Sequence, residues 1–347
     1  MLKSFAHLDQ SRKWSPEENI ALDQVRRLAT DVLRPNADRF DETKEFPWAN
    51  IEAFRAVGLN GIFVPEEYGG SPISYRCYLE AVRIISEACA ATGIIFGTSA
   101  ATINPILEYG NEEQKQRFIR PIVEGGLGAL AITEPHAGSD GGSVVTRFEP
   151  QGDQIVINGR KIFITTGDVA DILLLFGKWA GPENSPKAVS AVVVEKGTPG
   201  FEVARLETKM GTHASSTAEL VFTDCRIPRA NLLGNPGDGM KIMMATLNKS
   251  RPSVAAQALG IASAAFSDMV AYANERRQGG KRIVEHQAIA FMIADLAIEL
   301  MAARTLMDHV GMLVDDGVKD ISVEASMVKV KASDLAMRLS SAWPRSL

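Results

Sequence analysis

The side chains best suited to chemistry lie in two stretches, Ile132-Thr133-Glu134-Pro135-His136-Ala137-Gly138-Ser139-Asp140 and Lys161-Ile162-Phe163-Ile164-Thr165-Thr166. Both combine β-prone residues with hydroxyls, charges and a polar turn nearby. A rim of this kind presents backbone N–H groups and hydroxyls from a rigid edge, which suits a polar, planar ligand. Other chemistries lack their signatures. There is no nucleophile elbow, no Gly-Lys-Ser phosphate loop, no dinucleotide-binding glycine fingerprint and no His-Glu-x-x-His helix in the chain. Its 5 histidines are dispersed, and Cys77, Cys89 and Cys225 have neither zinc-ligand nor disulfide-framework spacing. No metal site is expected, and a reducing compartment is.

Three parts are predicted to position this rim. Ser15-Pro16 reads as the N-cap and first residue of a helix whose Ile20, Val25, Leu28, Val32 and Leu33 recur at helical spacing. Further helices are predicted near Trp48–Val57, as one or two buried helices over Tyr75–Tyr109, and from Asn111 through Ile122. The character changes at Gly128, where β-branched runs begin to alternate with turns, and Asn158-Gly159 predicts a type I′ hairpin. Seven or eight short strands favour a barrel or sandwich over a parallel sheet. After Gly234 the helical pattern returns in Met240–Lys249, Ser253–Ala273, Val284–Val314 and Val323–Leu339, which give three long helices with a kink at Pro252. The Met240–Met244 face reads as core. The fold class is therefore α+β and multidomain: an N-terminal all-α domain (1–127), a central β-barrel or sandwich domain (128–233) and a C-terminal antiparallel helical bundle (234–347).

Composition bounds the partners. With 347 residues, 46% of them apolar, the chain can bury a large core. A net charge of −5 without a basic stripe leaves no electrostatic footprint for nucleic acid. No uninterrupted apolar run approaches the roughly 18 residues of a membrane span, and Met1-Leu2-Lys3-Ser4-Phe5 lacks the character of a signal peptide. A cytoplasmic protein with no membrane partner is expected.

Thr133 to Asp140 resembles the Thr-Glu-Pro-x-Ala-Gly-Ser-Asp signature of the acyl-CoA dehydrogenase family, and the resemblance extends along nearly the whole chain. Val64-Pro65-Glu66-Glu67-Tyr68-Gly69-Gly70, Tyr109-Gly110-Asn111-Glu112-Glu113-Gln114-Lys115, Asn158-Gly159-x-Lys161 with Ile164-Thr165, and Glu275-Arg276 with Glu285-His286-Gln287 match further family motifs in order. The resemblance implies FAD as cofactor and α,β-dehydrogenation of an acyl-CoA thioester to the trans-2-enoyl-CoA, in fatty-acid or related metabolism. It also implies an electron-transferring flavoprotein as electron acceptor and a homo-oligomer, either tetramer or dimer. Carried over by position, Ile132, Thr133, Ser139, Phe163, Ile164, Thr165, Arg276, Gln278 and Gln287 are implied to bind the cofactor. Ser139, Asn248 and Arg251 are implied to border the acyl-CoA. Taken singly, Thr133 and Thr165 read as edge-strand threonines, the Gly138-Ser139-Asp140 loop as an ordinary turn and Arg276 as part of a solvated helix end; the shared order of the motifs reverses that reading.

The chain departs from the family pattern in three places. Phe163 stands where the family has Trp, and Gly279 where an aromatic commonly packs on the cofactor. The glutamate base of a Tyr-Glu-Gly-Thr motif does not occur, and Ser250 fills the other position where some members carry that glutamate. The catalytic residue is thus unknown, and the family's closing segment gives way to Ala342-Trp343-Pro344-Arg345-Ser346-Leu347, as expected of a shortened C-terminus with an incomplete bundle. Apolar faces of Val284–Val314 are then expected to stand exposed. Two alternatives follow: a catalytically silent FAD- or acyl-CoA-binding relative, or a flavin-containing eliminase resembling the desulfinases that lack the glutamate.

Overall fold

Ser15 begins the first helix, α1 (Pro16–Leu28), with a reciprocal cap. Its hydroxyl accepts from the Glu18 N–H, and the Glu18 carboxylate accepts from the Ser15 N–H at 2.9 Å, so two N–H groups at the helix start gain partners. A single π turn, Ala29–Leu33, leads into α2 (Arg34–Thr43). Pro35 has no N–H for the preceding turn, and the wider turn accommodates its ring. The other helices are α3 (Trp48–Ala56), α4 (Tyr75–Ala88), α5 (Ala90–Tyr109), α6 (Glu112–Val123), α7 (Gly239–Glu275), α8 (Gln287–Asp315) and α9 (Ser322–Ala342). The computed structural model describes residues 12–181 and 188–342. Met1–Phe5, where a signal peptide was not expected, and Pro344 lie outside the described residues.

An all-helical part, a β part and a second helical part follow one another as the sequence implied. By contacts, the chain forms two compact units: residues to Ala37 with Ile73–Gly93 and Arg251 onward, and Asp38–Pro72 with Ile94–Ser250. This grouping follows contact rather than sequence character, so its limits differ from the linear divisions at 127/128 and 233/234.

In the first unit a buried charge network replaces part of the apolar core. Glu80 accepts from Arg83 at 2.7 Å and from Arg12 at 2.9 Å, and Arg304 lies 3.8 Å away. Burial alone would raise the Glu80 carboxyl, but the Arg83, Arg12 and Arg304 guanidiniums outweigh it and hold it at about 2. Gly260 of α7 lets that helix approach α4 closely: a Cβ there would stand 2.7 Å from the Glu87 nitrogen. Helix α8 buries Ile293, Leu296, Leu300, Ala303, Met307 and Val310, while Phe291 and Ile298 on its other side are exposed, as are Met327 and Val330 of α9. Cys77 is buried in this unit and its thiol is pushed upward by burial.

The second unit is built on one eight-stranded sheet: β1 (Gly128–Ala131), β2 (Arg147–Gln151), β3 (Gln154–Thr165), β4 (Ile172–Trp179), β5 (Val189–Glu195), β6 (Phe201–Leu206), β7 (Thr217–Pro228) and β8 (Leu232–Leu233). The order is β6-β7-β3-β2-β4-β5-β8, and β1 lies parallel along β4. Strand periodicity divides the buried residues. Ile172, Leu174 and Phe176 meet Ile103, Ile106 and Phe118 of α5 and α6, whereas Leu173 and Leu175 join Phe148, Ile157, Leu220 and Phe222 in a core that the sheet encloses itself. Cys225 lies in this second core, where burial raises its thiol to about 11.

Three expectations are corrected. The hairpin turn is Gly152-Asp153, with Gly152 at φ 62°, and β3 runs unbroken through Asn158-Gly159 as a bulge. Asn158 spends its side chain on Asp224, accepting from its N–H at 2.9 Å, and a Cβ on Gly159 would sit 2.5 Å from the Thr146 hydroxyl. In the Met240–Met244 stretch Ile242 and Met243 are deeply buried, whereas Met240 and Met244 are exposed, so only part of that face is core. Finally, α5 and α7 do reach the length and mean hydropathy of a membrane span, at 1.3 and 1.4. In α5 the large apolar residues are interspersed with Gly, Ser, Thr and Asn rather than forming one run, and 72% of its window is buried in the fold.

The Glu80 network sets an acid limb. A carboxyl lowered from 4.5 to about 2 contributes stability that is fully present above pH 4.5 and is lost as pH falls toward 2, a difference of roughly 3 kcal/mol. Urea midpoints measured across that window should fall more steeply for the unaltered chain than for Glu80→Gln.

Candidate functional site

The loop after β1 is fixed by a buried ion pair. Lys161, in the middle of β3, is fully buried and donates to Glu134 at 2.7 Å and to the Ile132 carbonyl at 2.8 Å. Glu134, 1% exposed, also accepts from the backbone N–H groups of Val145 and Thr146 at 2.7 and 3.0 Å. Burial works to raise the Glu134 carboxyl, but the Lys161 ammonium and these donors outweigh it and hold it below the usual range. Burial likewise pushes the Lys161 ammonium down to about 8, against the pull of Glu134. Between Glu134 and Ala137 the chain turns through two mutual backbone hydrogen bonds of 3.0 and 3.1 Å.

The end of β3 lies beside this loop, with the Ile162 N–H donating to the Thr133 carbonyl at 2.9 Å. A register shift between Lys161 and Ile164 puts Phe163 at φ 60°, and Thr166 follows at φ 59°. Left-handed backbone at such residues costs on the order of 1 to 3 kcal/mol. Thr166 is held there by its hydroxyl, which donates to the Gly128 carbonyl at 2.9 Å, and by its N–H, which donates to the Ser216 carbonyl at 3.0 Å. The bulge turns the Phe163 ring outward, 60% exposed, while Ile164 is buried in the enclosed core.

The structure thus brings Ile132, Thr133, Phe163 and Thr165 together on one rim. Among the described residues, neither the Thr133 nor the Thr165 hydroxyl makes a hydrogen bond, so both remain available to a ligand. Ser139 is exposed on the adjoining loop, whose Gly141 would direct a Cβ to within 2.7 Å of the Met243 sulfur. Only the backbone of Ile164 could meet a ligand, since its side chain is buried. An outward aromatic ring beside unused hydroxyls fits the flat, polar edge of an isoalloxazine.

In the other unit, Arg276, Gln278 and Gln287 gather at a small hairpin of β9 (Arg277–Gln278) and β10 (Lys281–Arg282). The His286 ring lies 3.1 Å from the Gln278 carbonyl, which brings the exposed Gln287 at the start of α8 close to the exposed Arg276 and Gln278. Gly279 and Gly280 form its turn at φ 61° and 81°, a conformation that accounts for glycine at Gly279. Asn248 and Arg251 are half-buried in α7 and fall in different units. Ser250 donates to the Leu247 carbonyl at 3.2 Å.

The chain matches the acyl-CoA dehydrogenase N-terminal domain over residues 15–126, the middle domain over 129–225 and the C-terminal domain over 237–343. It belongs to the acyl-CoA dehydrogenase family. An acyl-CoA dehydrogenase of Bacillus subtilis is 45% identical over 90% of this chain and 83% of its own length. The short-chain-specific acyl-CoA dehydrogenase of Clostridium acetobutylicum is 38% identical over 92% and 85%. The structure of butyryl-CoA dehydrogenase from Megasphaera elsdenii superposes with a TM-score of 0.92 at 35% identity, covering 97% of this chain and 89% of that one.

Within this acyl-CoA dehydrogenase, sequence reasoning quoted Glu134 and Lys161 as motif letters and gave them no role. The available signal was weak: Lys161 follows the polar Asn158-Gly159-Arg160 in β3, and only the apolar Ile162-Phe163-Ile164 after it hints at burial, which a lysine tolerates with a carboxylate partner. Lys161→Met should leave the Glu134 carboxylate buried and unpaired, at a cost of about 3 to 5 kcal/mol. The double variant Glu134→Gln/Lys161→Met should recover a large part of that loss, as read from urea unfolding of the four proteins in a double-mutant cycle.

Proposed function

We propose that this chain binds FAD on the rim of Ile132, Thr133, Phe163 and Thr165 and dehydrogenates a short-chain acyl-CoA thioester to its trans-2-enoyl-CoA. The exposed Phe163 ring, turned out of the sheet by the bulge in β3, carries this reading. When bound, FAD supplies the acceptor for the hydride that leaves the β-carbon. The chain's own residues supply orientation. Phe163 offers a flat apolar face, Thr133 and Thr165 offer hydroxyls, and the Ile132–Thr133 and Ile164–Thr165 backbone offers polar groups that need not reorganise on binding. Ser139 reaches the cofactor or the acyl-CoA chain from the neighbouring loop. Arg276, Gln278 and Gln287 reach toward the FAD of a second subunit, which makes the working form a homo-oligomer, while Asn248 and Arg251 border the acyl-CoA.

The short-chain substrate class follows the named relatives. The three-domain division at 127/128 and 233/234, the cytoplasmic location and an electron-transferring flavoprotein as acceptor belong to the same proposal. Proton removal from the α-carbon is assigned to no residue. Ser250 is a neutral hydroxyl with a backbone partner, and general-base catalysis is worth roughly 10² to 10⁴-fold.

Purified chain mixed with FAD should retain a flavin spectrum through gel filtration, and anaerobic addition of butyryl-CoA should bleach it. Phe163→Ala should weaken FAD retention by about tenfold with little change in thermal midpoint, because an exposed ring contributes little to folding. A colourless product would sink the proposal. A yellow product that no acyl-CoA bleaches would leave the silent relative or the eliminase, which an assay for acyl-CoA cleavage without oxidation would separate.

A further inference from the structure

Residues 207–216, between β6 and β7, form a loop folded around the Lys209 ammonium. That group donates to the Thr212 carbonyl at 2.9 Å and to the Ser215 carbonyl. Burial lowers the Lys209 ammonium from its ordinary value, with Asp41 opposing. Ala214 and Ser215 are buried, and Thr212 takes φ 51°. One side of the loop is tied to α2: the Asp41 carboxylate accepts from the His213 N–H at 2.9 Å and lies 3.3 Å from the ring Nδ1, whose other nitrogen sits 2.9 Å from the Lys209 carbonyl. Its far end, Ser216, holds the turn after β3. The Ser216 carbonyl accepts from the Thr166 N–H at 3.0 Å, and its hydroxyl donates to Asp168 at 2.5 Å.

A continuous set of hydrogen bonds therefore runs from Asp41 through His213 and the Lys209-centred loop to Thr166, the left-handed residue that directly follows Thr165. We propose that Asp41 and His213 are positioning residues: they latch residues 207–216 so that Ser216 holds Thr166, and with it the Thr165 hydroxyl, at the flavin edge. This inference rests on the proposed FAD rim. Neither residue touches the reacting atoms. The helix carboxylate matters because, apart from Glu207 at the strand ends, which bonds Arg205 and Thr217, and Ser216 at the turn after β3, the loop's polar bonds are internal, and such a loop can shift on its two stems unless something outside fixes its middle. Asp41 fixes it there and the turn after β3 at the far end.

Hydrogen–deuterium exchange of the FAD-free chain reads the latch without reference to activity. Asp41→Ala should speed exchange across 207–217 and at the Thr166 amide by about 3- to 10-fold, the loss expected for one or two hydrogen bonds. Asp41→Asn keeps an acceptor for the His213 N–H and should restore slow exchange. In the FAD-loaded protein, Asp41→Ala and His213→Ala should alter the bound flavin's absorbance and slow its bleaching by butyryl-CoA by roughly tenfold, with KM unchanged. Unchanged exchange at Thr166 in Asp41→Ala overturns the latch, as does faster exchange with an unaltered flavin spectrum and rate. A chain that takes up no FAD yet shows the exchange pattern defeats the functional reading and the positioning role together, leaving the latch as a structural staple.

Discussion

The rim depends on one buried ion pair. Lys161 and Glu134 lie in different segments, and each leaves water completely to meet the other. Desolvating both ions consumes most of what their attraction supplies, so the pair adds little net stability compared with two well-packed apolar side chains. Its effect is on register. Sliding β3 by one residue would turn Lys161 to the opposite face and strand Glu134 among apolar neighbours, a state several kcal/mol less favourable. The same carboxylate gathers the Val145 and Thr146 N–H groups and the same ammonium takes the Ile132 carbonyl, so both ends of the loop that carries Ser139 are fixed by two side chains.

With the register set, the bulge decides what faces outward. An unbulged strand would alternate Lys161, Phe163 and Thr165 on one face, and burying Lys161 would bury Phe163 beside it. The inserted residue breaks that alternation, so that Lys161 and Ile164 point inward and Phe163 outward. The left-handed conformation at Phe163 and Thr166 is the local cost of this arrangement. Bonds from Thr166 to Gly128 and Ser216 offset part of it, and they tie the end of β3 to β1 and to the loop before β7.

Much of the fold was legible because it rests on periodicity and caps. The Ser15-Pro16 start of α1, the Asn111 cap of α6 and the alternation of β4 and β5 all follow from local chemistry. Misreadings arose where a local signal was claimed by a distant partner. Asn158-Gly159 carries hairpin residues, but Asp224 takes the asparagine and Thr146 needs the space the glycine leaves, so the strand continues. At the rim the residue types were readable, whereas the outward turn of Phe163 was not, since it comes from a bulge with no glycine to announce it. The left-handed Gly279-Gly280 turn explains why an aromatic position of the family holds glycine, which spacing alone left unexplained.

The buried thiols give each compact unit its own clock. Cys77 lies in one unit and Cys225 in the other, both are buried, and both are held in the unreactive protonated form by that burial. An alkylating reagent can reach either sulfur only when the surrounding helices or strands part. The relative rates at which the two cysteines become labelled therefore measure how often each unit opens and whether the two open together, with no probe introduced and no residue changed.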